Sequence, residues 1–437
     1  MKLILVLMSF PIASLAWQNI WHWREKIGGF LSNPLRQSRV PQFILDARHP
    51  WIIENLSKLE SLPDAESYLC FPSKESTTDT GGEKSSEGEN GLDLPPDLFD
   101  YLKIDNSRWG IDNPGWPDAL LRAREIARCP AALSQVKTFK LGIYVLDSEP
   151  SGSHMSIPEP LQPPTKVLDL FADVLGNMTS LETLQWSIPP PCARYFEERF
   201  TDRGLVLSSV KRLEPSAMNH FLVPMCSNIT ALEYGGDWMS RSDLNRSEDP
   251  ESLLLQAAMF APKLTRFGMT ARLGWTELMI QDLVSGYMPG LESLGLRGCL
   301  GDQYTYSPYV TSDGSALKEI LQLLSSLHNL THLDLPGAVQ LDVGWDGGPF
   351  CGNAYFGPGG TEYAREVYRE GLEATERVAA LVVEALPRLT SFNVGDDQAN
   401  ITRYENGTLR ACFPWTGRME EWVMEVLPGG PDGPDEY

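Results

Sequence analysis

The stretch that decides the fold is residues 316–336, which read ALKEILQLLSSLHNLTHLDLP. In its first half, Leu317, Ile320, Leu321 and Leu324 recur at the three- and four-residue spacing of one helix face. Its second half follows the pattern L-x-x-L-x-L, in which the last leucines alternate with polar residues as in a half-buried strand. The stretch therefore predicts a helix, a tight turn and a short strand.

The same unit recurs along the chain, and apolar helical runs precede most of the strand patterns, for example at 167–175, 253–260, 275–284 and 367–386. A helix–strand unit of this size cannot bury its own apolar faces. Such units therefore stack and share a continuous core, with strands along one face and helices along the other. The eight strand segments are 136–141, 181–186, 210–213, 229–234, 264–269, 291–296, 330–335 and 389–394.

The longer pattern L-x-x-L-x-L-x-x-N/C is matched completely by residues 291–299, LESLGLRGC, and the other units match its first half. On these residues the chain resembles the leucine-rich repeat family in its helix-containing, ribonuclease-inhibitor-like form. The resemblance covers roughly residues 117–397, although the repeats start 19 to 59 residues apart and the family spacing is about 20–29. It implies an α/β, leucine-rich-repeat-like solenoid of irregular helix–strand units with strands on the concave face. The alternative is an ordinary α/β domain with leucine-rich strands.

Residues 1–16, MKLILVLMSFPIASLA, combine a lysine, a short apolar run and small residues at Ser14 and Ala16. This pattern is typical of a cleaved secretory signal peptide, and the alternative is a buried first helix. No later stretch reaches the ~18 apolar residues of a membrane-spanning helix. We therefore predict a secreted, extracellular protein without a membrane span. The predicted segments are a signal peptide at 1–16, an N-terminal cap region at 17–72, a disordered acidic linker at 73–97, a solenoid at 98–397 with an insertion loop at 339–361, and a C-terminal cap with an acidic tail at 398–437.

In a secreted protein, the Asn-X-Ser/Thr sequons are potential N-glycosylation sites. Three of them, at Asn177, Asn228 and Asn329, come just before a predicted strand, at a junction that lies on one rim of a solenoid. We expect glycans there to cover one edge and to leave the strand face open. The full set of sequons is Asn55, Asn177, Asn228, Asn245, Asn329, Asn400 and Asn406.

The cysteines are odd in number, so at least one is free or pairs with another chain, and an oxidising compartment permits disulfides. No C-x-x-C pair or Cys/His cluster suggests zinc. Cys299 occupies the repeat position that faces the core, so we expect it to be buried. The seven cysteines are Cys70, Cys129, Cys192, Cys226, Cys299, Cys351 and Cys412.

The composition and the absence of catalytic motifs argue against several classes of function. With 36 basic and 58 acidic side chains the formal net charge is −22, a field that repels nucleic acid and anionic membranes. The chain has no G-x-S-x-G elbow, no H-E-x-x-H and no phosphate-binding loop. We therefore predict a non-enzymatic protein that has no cofactor or metal and does not bind nucleic acid.

The alternation of L-x-x-L-x-L points the leucines inward and turns the intervening residues outward, onto the strand face. Arg212, Arg266 and His332 then share a column, and cations aligned on an acidic protein suit an anionic or carbohydrate ligand. The alternative is ordinary solvated polarity of the strands. The predicted ligand face consists of Lys140, Gln185, Arg212, Glu233, Arg266, Arg297, His332, Asp334 and Asn393.

These observations predict a recognition module that binds a protein or a glycan on its strand face. The glycine- and aromatic-rich insertion at 344–360 is either a surface excursion or a lid over that face. Residues 94–104, LPPDLFDYLKI, resemble the start of an F-box, which gives an intracellular ubiquitin-ligase adaptor as the alternative. A second alternative is an extracellular hydrolase, for which a spatial pair of carboxylates in a cleft is the diagnostic feature.

Overall fold

The computed structural model describes most of the chain from residue 100 onward. The described residues are 100–105, 115–127, 133–143, 162–234, 250–288, 290–300, 314–344, 359–405 and 407–428.

The described residues form one mixed sheet in which the strands lie side by side in the order of the sequence. The first nine strands run parallel, and the last two continue the sheet antiparallel. The strands are β1 (Tyr101–Asp105), β2 (Thr138–Gly142), β3 (Thr183–Ser187), β4 (Arg212–Pro215), β5 (Ala231–Tyr234), β6 (Arg266–Trp275), β7 (Ser293–Leu300), β8 (His332–Leu335), β9 (Ser391–Val394), β10 (Asp397–Arg403) and β11 (Leu409–Cys412).

Helices connect the parallel strands. Most consecutive helices pack against each other, as α1 does against α2 and α7 does against α8. A π-helical turn (Leu283–Tyr287) extends α6, and a 3₁₀ turn (Ala338–Leu341) follows β8. The helices are α1 (Gly115–Ala127), α2 (Thr165–Asn177), α3 (Pro190–Asp202), α4 (Leu222–Met225), α5 (Pro250–Ala258), α6 (Glu277–Asp282), α7 (Ser315–Leu324), α8 (Gly360–Ala385) and α9 (Met419–Val426).

A repeated hydrogen-bond pattern sets the register between the parallel strands. The carbonyl oxygen of Lys137, just before β2, accepts the backbone N–H groups of Glu182 (2.8 Å) and Thr183 (2.9 Å) at the start of β3. The carbonyl of Glu182 in turn accepts the N–H groups of Lys211 (2.7 Å) and Arg212 (2.9 Å) at the start of β4. We call this pattern the carbonyl ladder. It continues unit by unit to β9, so equivalent residues of successive strands lie side by side.

The core lies between the sheet and the helices. In β3, for example, Leu184 and Trp186 are buried, whereas the three residues that alternate with them are half-buried on the other face. Trp186 packs edge-on against Phe171 of α2 (5.9 Å between ring centroids) and against Phe196 of α3 (5.5 Å). Such edge-to-face contacts add to the stabilisation that burial itself gives. One face of the sheet is therefore covered by helices, and the other carries polar side chains.

The mixed α/β class is confirmed, and the structure has a strand at each of the eight positions that the leucine pattern predicts. It also has elements that the pattern did not predict: β1, the helices α1 and α3, and the hairpin of β10 and β11. The hairpin carries the sheet beyond residue 397 into the segment assigned to the C-terminal cap.

The expectation that Cys299 is buried in the core is wrong, because its side chain is only half-buried. The match to L-x-x-L-x-L-x-x-N/C had predicted that this position faces the core. Here β7 continues as far as Leu300, and Gly298 adopts a positive φ of 99° within it. Cys299 therefore stays in the strand and does not turn inward.

Several predicted segments lie outside the described residues. They are the signal peptide at 1–16, the cap region at 17–72, the linker at 73–97, and most of the insertion at 339–361. Of the stretch that resembles an F-box, only residues 100–104 are described, and Tyr101–Asp105 form the edge strand β1.

The inward leucines of the repeat should carry much of the stability. Leu333 in β8 is fully buried, so we expect Leu333→Ala to lower the free energy of unfolding by about 2–5 kcal/mol. The matched control is Leu278→Ala in α6, because that side chain is 71% exposed and its removal should change stability by no more than about 0.5 kcal/mol. Urea unfolding of the purified chain measures both. Equal losses for the two variants would contradict the assignment of the core.

Candidate functional site

The face of the sheet that the described helices leave uncovered carries two rows of side chains in register. We call these two rows, together with Arg297, the strand face. The first row consists of Thr138, Thr183, Arg212, Ala231, Arg266, Ser293, His332 and Ser391. The second row, two residues further along each strand, consists of Lys140, Gln185, Glu214, Glu233, Gly268, Gly295, Asp334 and Asn393.

All the residues predicted for the ligand face lie on this surface. Lys140, Gln185, Glu233, Asp334 and Asn393 belong to the second row. The first row contains three more, and Arg297 lies two residues beyond the second row, where it pairs with Thr270 of β6. The first-row members are Arg212, Arg266 and His332.

Arg212 does not present a free positive charge. Its Nε donates to Glu214 Oε1 at 2.6 Å, and its Nη2 donates to Glu233 Oε2 at 3.0 Å. All three side chains are partly exposed, so these ion pairs contribute little to stability, on the order of 0–1 kcal/mol each. Their consequence is electrostatic, because two carboxylates neutralise the guanidinium that the sequence pattern had predicted to bind an anion.

His332 is also held by its neighbours. Its Nδ1 lies 2.9 Å from Ser391 Oγ on β9, and its Nε2 lies 2.8 Å from Asp334 Oδ1 on its own strand. Asn393 donates from Nδ2 to the same Asp334 oxygen at 2.5 Å. The four side chains form one hydrogen-bonded network across β8 and β9, so the imidazole orientation is fixed.

Two glycines interrupt the second row in the middle of the sheet. Gly268 of β6 pairs with Gly295 of β7, and both are buried. A Cβ at Gly268 would meet Glu233 Cγ at 3.6 Å, and one at Gly295 would meet Gly268 Cα at 3.4 Å, which are ordinary contacts. Glycine inside a strand costs about 0.5–1 kcal/mol relative to alanine. Neither steric fit nor a positive φ therefore explains why both positions lack a side chain.

Arg266 and Arg297 stand beside these glycines on adjacent strands. Both side chains are exposed, and within the described residues neither guanidinium has a hydrogen-bond or ion-pair partner. The strand face thus has neutralised charges at β4 and β5, a bonded polar network at β8 and β9, and two unpaired cations between them.

Part of this geometry could have been predicted from the sequence. The in-register positions of Glu214 and Glu233 place acids beside Arg212, and that pairing could have been inferred from the aligned columns. The glycine pair had its own signal, because two strand-interior glycines at equivalent repeat positions are unusual for a strand. The link between His332 and Ser391 depends on side-chain rotamers, which the sequence pattern does not specify.

Four sequons can be located in the structure. Asn177 is the last residue of α2, and Asn228 and Asn329 lie in the turns before β5 and β8. Asn400 of the antiparallel β10 pairs with Ser391, the first residue of β9. All four therefore lie at the edge where the parallel strands begin. Asn55, Asn245 and Asn406 lie outside the described residues.

The four asparagines differ in accessibility. Asn177, Asn329 and Asn400 are exposed, whereas Asn228 is half-buried. The amide of Asn228 donates to the carbonyl of Ser208 at 2.8 Å, and its Oδ1 accepts from Lys263 Nζ at 2.6 Å. Asn228 is thus the most constrained of the four.

Cys192, Cys226, Cys299 and Cys412 are not in disulfides, and the other three cysteines lie outside the described residues. Burial raises the pKa of the Cys192 thiol to about 12, an effect that nearby Arg194 partly offsets. Burial alone raises the pKa of Cys226 to about 12. Both thiols are therefore protonated at physiological pH, which suits packing and not nucleophilic chemistry.

Two other features of the described residues bear on the site. A groove of about 560 Å³ lies between α8 and β11, lined by Ala379, Val383, Glu384, Leu409 and Phe413 among others, and it includes no residue of the strand face. No group of three or more His, Cys, Asp or Glu side chains in this part of the chain is placed to hold a metal ion.

Among the helices of the described residues, none is both long enough and apolar enough to cross a bilayer.

The chain was compared with known proteins. No family model matches it, and a search of curated proteins returns no significant match.

Thiol labelling tests the assignment of buried cysteines. At pH 8 we expect iodoacetamide to leave Cys192 and Cys226 of the native chain unmodified, because a pKa of about 12 leaves almost no thiolate. The half-buried Cys299 and Cys412 serve as internal controls and should react faster. Peptide mass spectrometry before and after urea denaturation reads all four. Native labelling of Cys226 at the rate of Cys299 would contradict its burial.

Proposed function

We propose that the chain is a secreted, N-glycosylated, non-enzymatic recognition module, a leucine-rich-repeat-like solenoid that binds a protein or a glycan through its strand face. The observation that carries the proposal is the strand face itself. Side chains that are mostly polar and half-buried stand in register across eight consecutive parallel strands, on the side of the sheet that the described helices do not cover.

The solenoid part of the proposal is supported by connectivity. Each parallel strand pairs with the strands that precede and follow it in sequence, and neighbouring helices pack in the same order. This nearest-neighbour organisation is typical of repeat proteins, in which extended strand surfaces serve for binding. The L-x-x-L-x-L part of residues 291–299 gives further support, because its three leucines are buried.

The secreted part is supported by the leader at 1–16 and by the common edge of four sequons. Glycans at Asn177, Asn329 and Asn400 would project from the edge where the strands begin. They would hinder contacts at that edge and leave the strand face accessible.

Expression of the full chain in a eukaryotic host tests secretion. We expect the protein in the medium, with a mass that falls on treatment with a glycan-removing enzyme. Thr179→Ala should remove the glycan at Asn177, whereas the matched control Thr179→Ser keeps the sequon and should keep the glycan. Retention in the cytosol at the mass of the bare polypeptide would overturn the proposal and favour the F-box-type adaptor.

The polar network at β8 and β9 favours a second candidate, the extracellular hydrolase. If Asp334 accepts the Nε2–H of His332, the Nδ1 lone pair faces Ser391 Oγ at 2.9 Å. The imidazole would then take the hydroxyl proton while Oγ attacks an acyl carbon, the leaving group would depart with that proton, and water would release the acyl group. In the familiar triad the two ring nitrogens have the opposite partners, so recognition remains the first proposal.

An active-site-directed fluorophosphonate probe distinguishes the two candidates. A hydrolase should be labelled at Ser391, and Ser391→Ala should abolish the label. Ser293→Ala is the matched control, because Ser293 occupies the equivalent position on β7 and has no place in the network. We expect no labelling of the wild-type chain, the result that fits a recognition module.

A further inference from the structure

The centre of the strand face has the features of a site for one particular kind of ligand. Gly268 and Gly295, although buried, form a short stretch of strand without side chains, which we call the glycine floor. Glycine in a strand interior often marks the place where a ligand or another backbone approaches closely. The contacts of 3.4 to 3.9 Å around a Cβ at Gly295 would accept alanine, so the fold itself does not require the floor.

Cations stand at the two ends of the floor. Arg266 precedes Gly268 by two residues on β6, and Arg297 follows Gly295 by two residues on β7, so all four residues face the same side. Both guanidinium groups are unpaired within the described residues, in contrast to Arg212. Like Lys140 of β2, which also lacks an ion-pair partner among the described residues, they can neutralise an anion without first breaking an ion pair.

The spacing of the two arginines matches an extended peptide. Counted along the strands they are four residues apart, about 13 Å at 3.3 Å per residue. Residues i and i+4 of an extended chain have the same separation and point to the same side. A peptide that lies along the strands would thus bring two acidic side chains to the two arginines at once.

Carboxylates border the floor on its other two sides. Glu233 of β5 uses Oε2 for Arg212, and Asp334 of β8 uses Oδ1 for His332 and Asn393. A Cβ at Gly295 would lie 3.8 Å from Asp334 Oδ2, so that oxygen faces the floor. Peptide N–H groups over the glycines could donate to these carboxylates, which would repel an anion placed between the arginines.

We propose that the strand face binds an extended acidic peptide segment of a partner protein over the glycine floor. Two carboxylates four residues apart pair with Arg266 and Arg297, and the backbone between them lies on Gly268 and Gly295. The net charge of −22 does not prevent this pairing, because charges beyond about 8 Å are largely screened at physiological ionic strength. This inference rests on the recognition function proposed above and names its ligand class.

The test selects peptides and then measures them. The full chain is panned against a random-peptide phage library, and an enriched peptide is synthesised and its binding followed by fluorescence anisotropy. We expect two Asp or Glu residues four apart in the enriched sequences. Arg266→Gln and Arg297→Gln should each weaken binding at least about tenfold, because each removes a charge-assisted contact. The matched control Arg377→Gln removes an exposed guanidinium on α8, away from the strand face, and should change binding less than about twofold.

A further variant tests the floor. Gly295→Leu should abolish binding by filling the space above the backbone, and its urea unfolding midpoint shows whether it folds. If it does not fold, the arginine variants alone decide. Heparin serves as the second probe, since a sulfated glycan would use the same cations. Heparin binding through Arg266 and Arg297 without enrichment of acidic peptides would overturn the peptide ligand.

The outcomes separate this inference from the recognition function. Enriched peptides that lack acidic pairs but lose binding on Asp334→Asn or Gly295→Leu would overturn the acidic ligand and leave a recognition face in place. Binders that no substitution on the strand face affects would overturn both.

Discussion

One hydrogen-bond pattern, the carbonyl ladder, governs this structure. The carbonyl of Thr265 accepts two N–H groups from the start of β7, and the carbonyl of Glu292 accepts two from the start of β8. Threonine hydroxyls reinforce it, as when Thr331 Oγ1 donates to Glu292 O at 3.1 Å. Because a slip of one residue would turn every leucine outward, the ladder determines which side chains enter the core and which form the strand face.

Because the register is fixed, the inward-facing residues of each strand form the core and the outward-facing residues do not. Leu294, Leu333 and Phe392 are fully buried and stabilise the fold, so the residues beside them are not needed for the core. The strand face can therefore hold arrangements that add little stability, such as the exposed ion pairs of Arg212, or that cost some, such as the glycine pair. A residue type on the strand face that does not favour folding therefore points to a function at that position.

The sequence predicted the strands well because inward leucines at fixed spacing are a direct consequence of burial. It missed α3, where the opening prolines and the charged residues of 190–202 hide a helix that buries Phe196 and Phe200. It also missed the hairpin of β10 and β11, although the dipeptide at 406–407, Asn-Gly, is a strong turn signal.

The candidate site was predicted less completely than the fold. Its member residues follow from alternation along each strand, and the structure places all of them on one face. Which of their charges are paired does not follow from alternation alone. Arg212 loses its availability to Glu214 on its own strand and to Glu233 on the next, and Arg266 keeps its availability because its neighbours include glycines. Contacts between strands, and not positions within one strand, decide which cation is free.

The carbonyl ladder also explains which connections vary in length. The carbonyls of the ladder lie in the turns that lead from helix to strand, and these connections span only five to ten residues each. The connections from strand to helix vary far more, from the single residue between β6 and α6 to the 24 residues of 336–359 between β8 and α8. Insertions at that second edge leave the register intact, since every shared carbonyl precedes its strand. The four located sequons lie at the first edge, so the edge that carries the ladder would be the glycosylated one, and the strand face together with the opposite edge would be left for a partner.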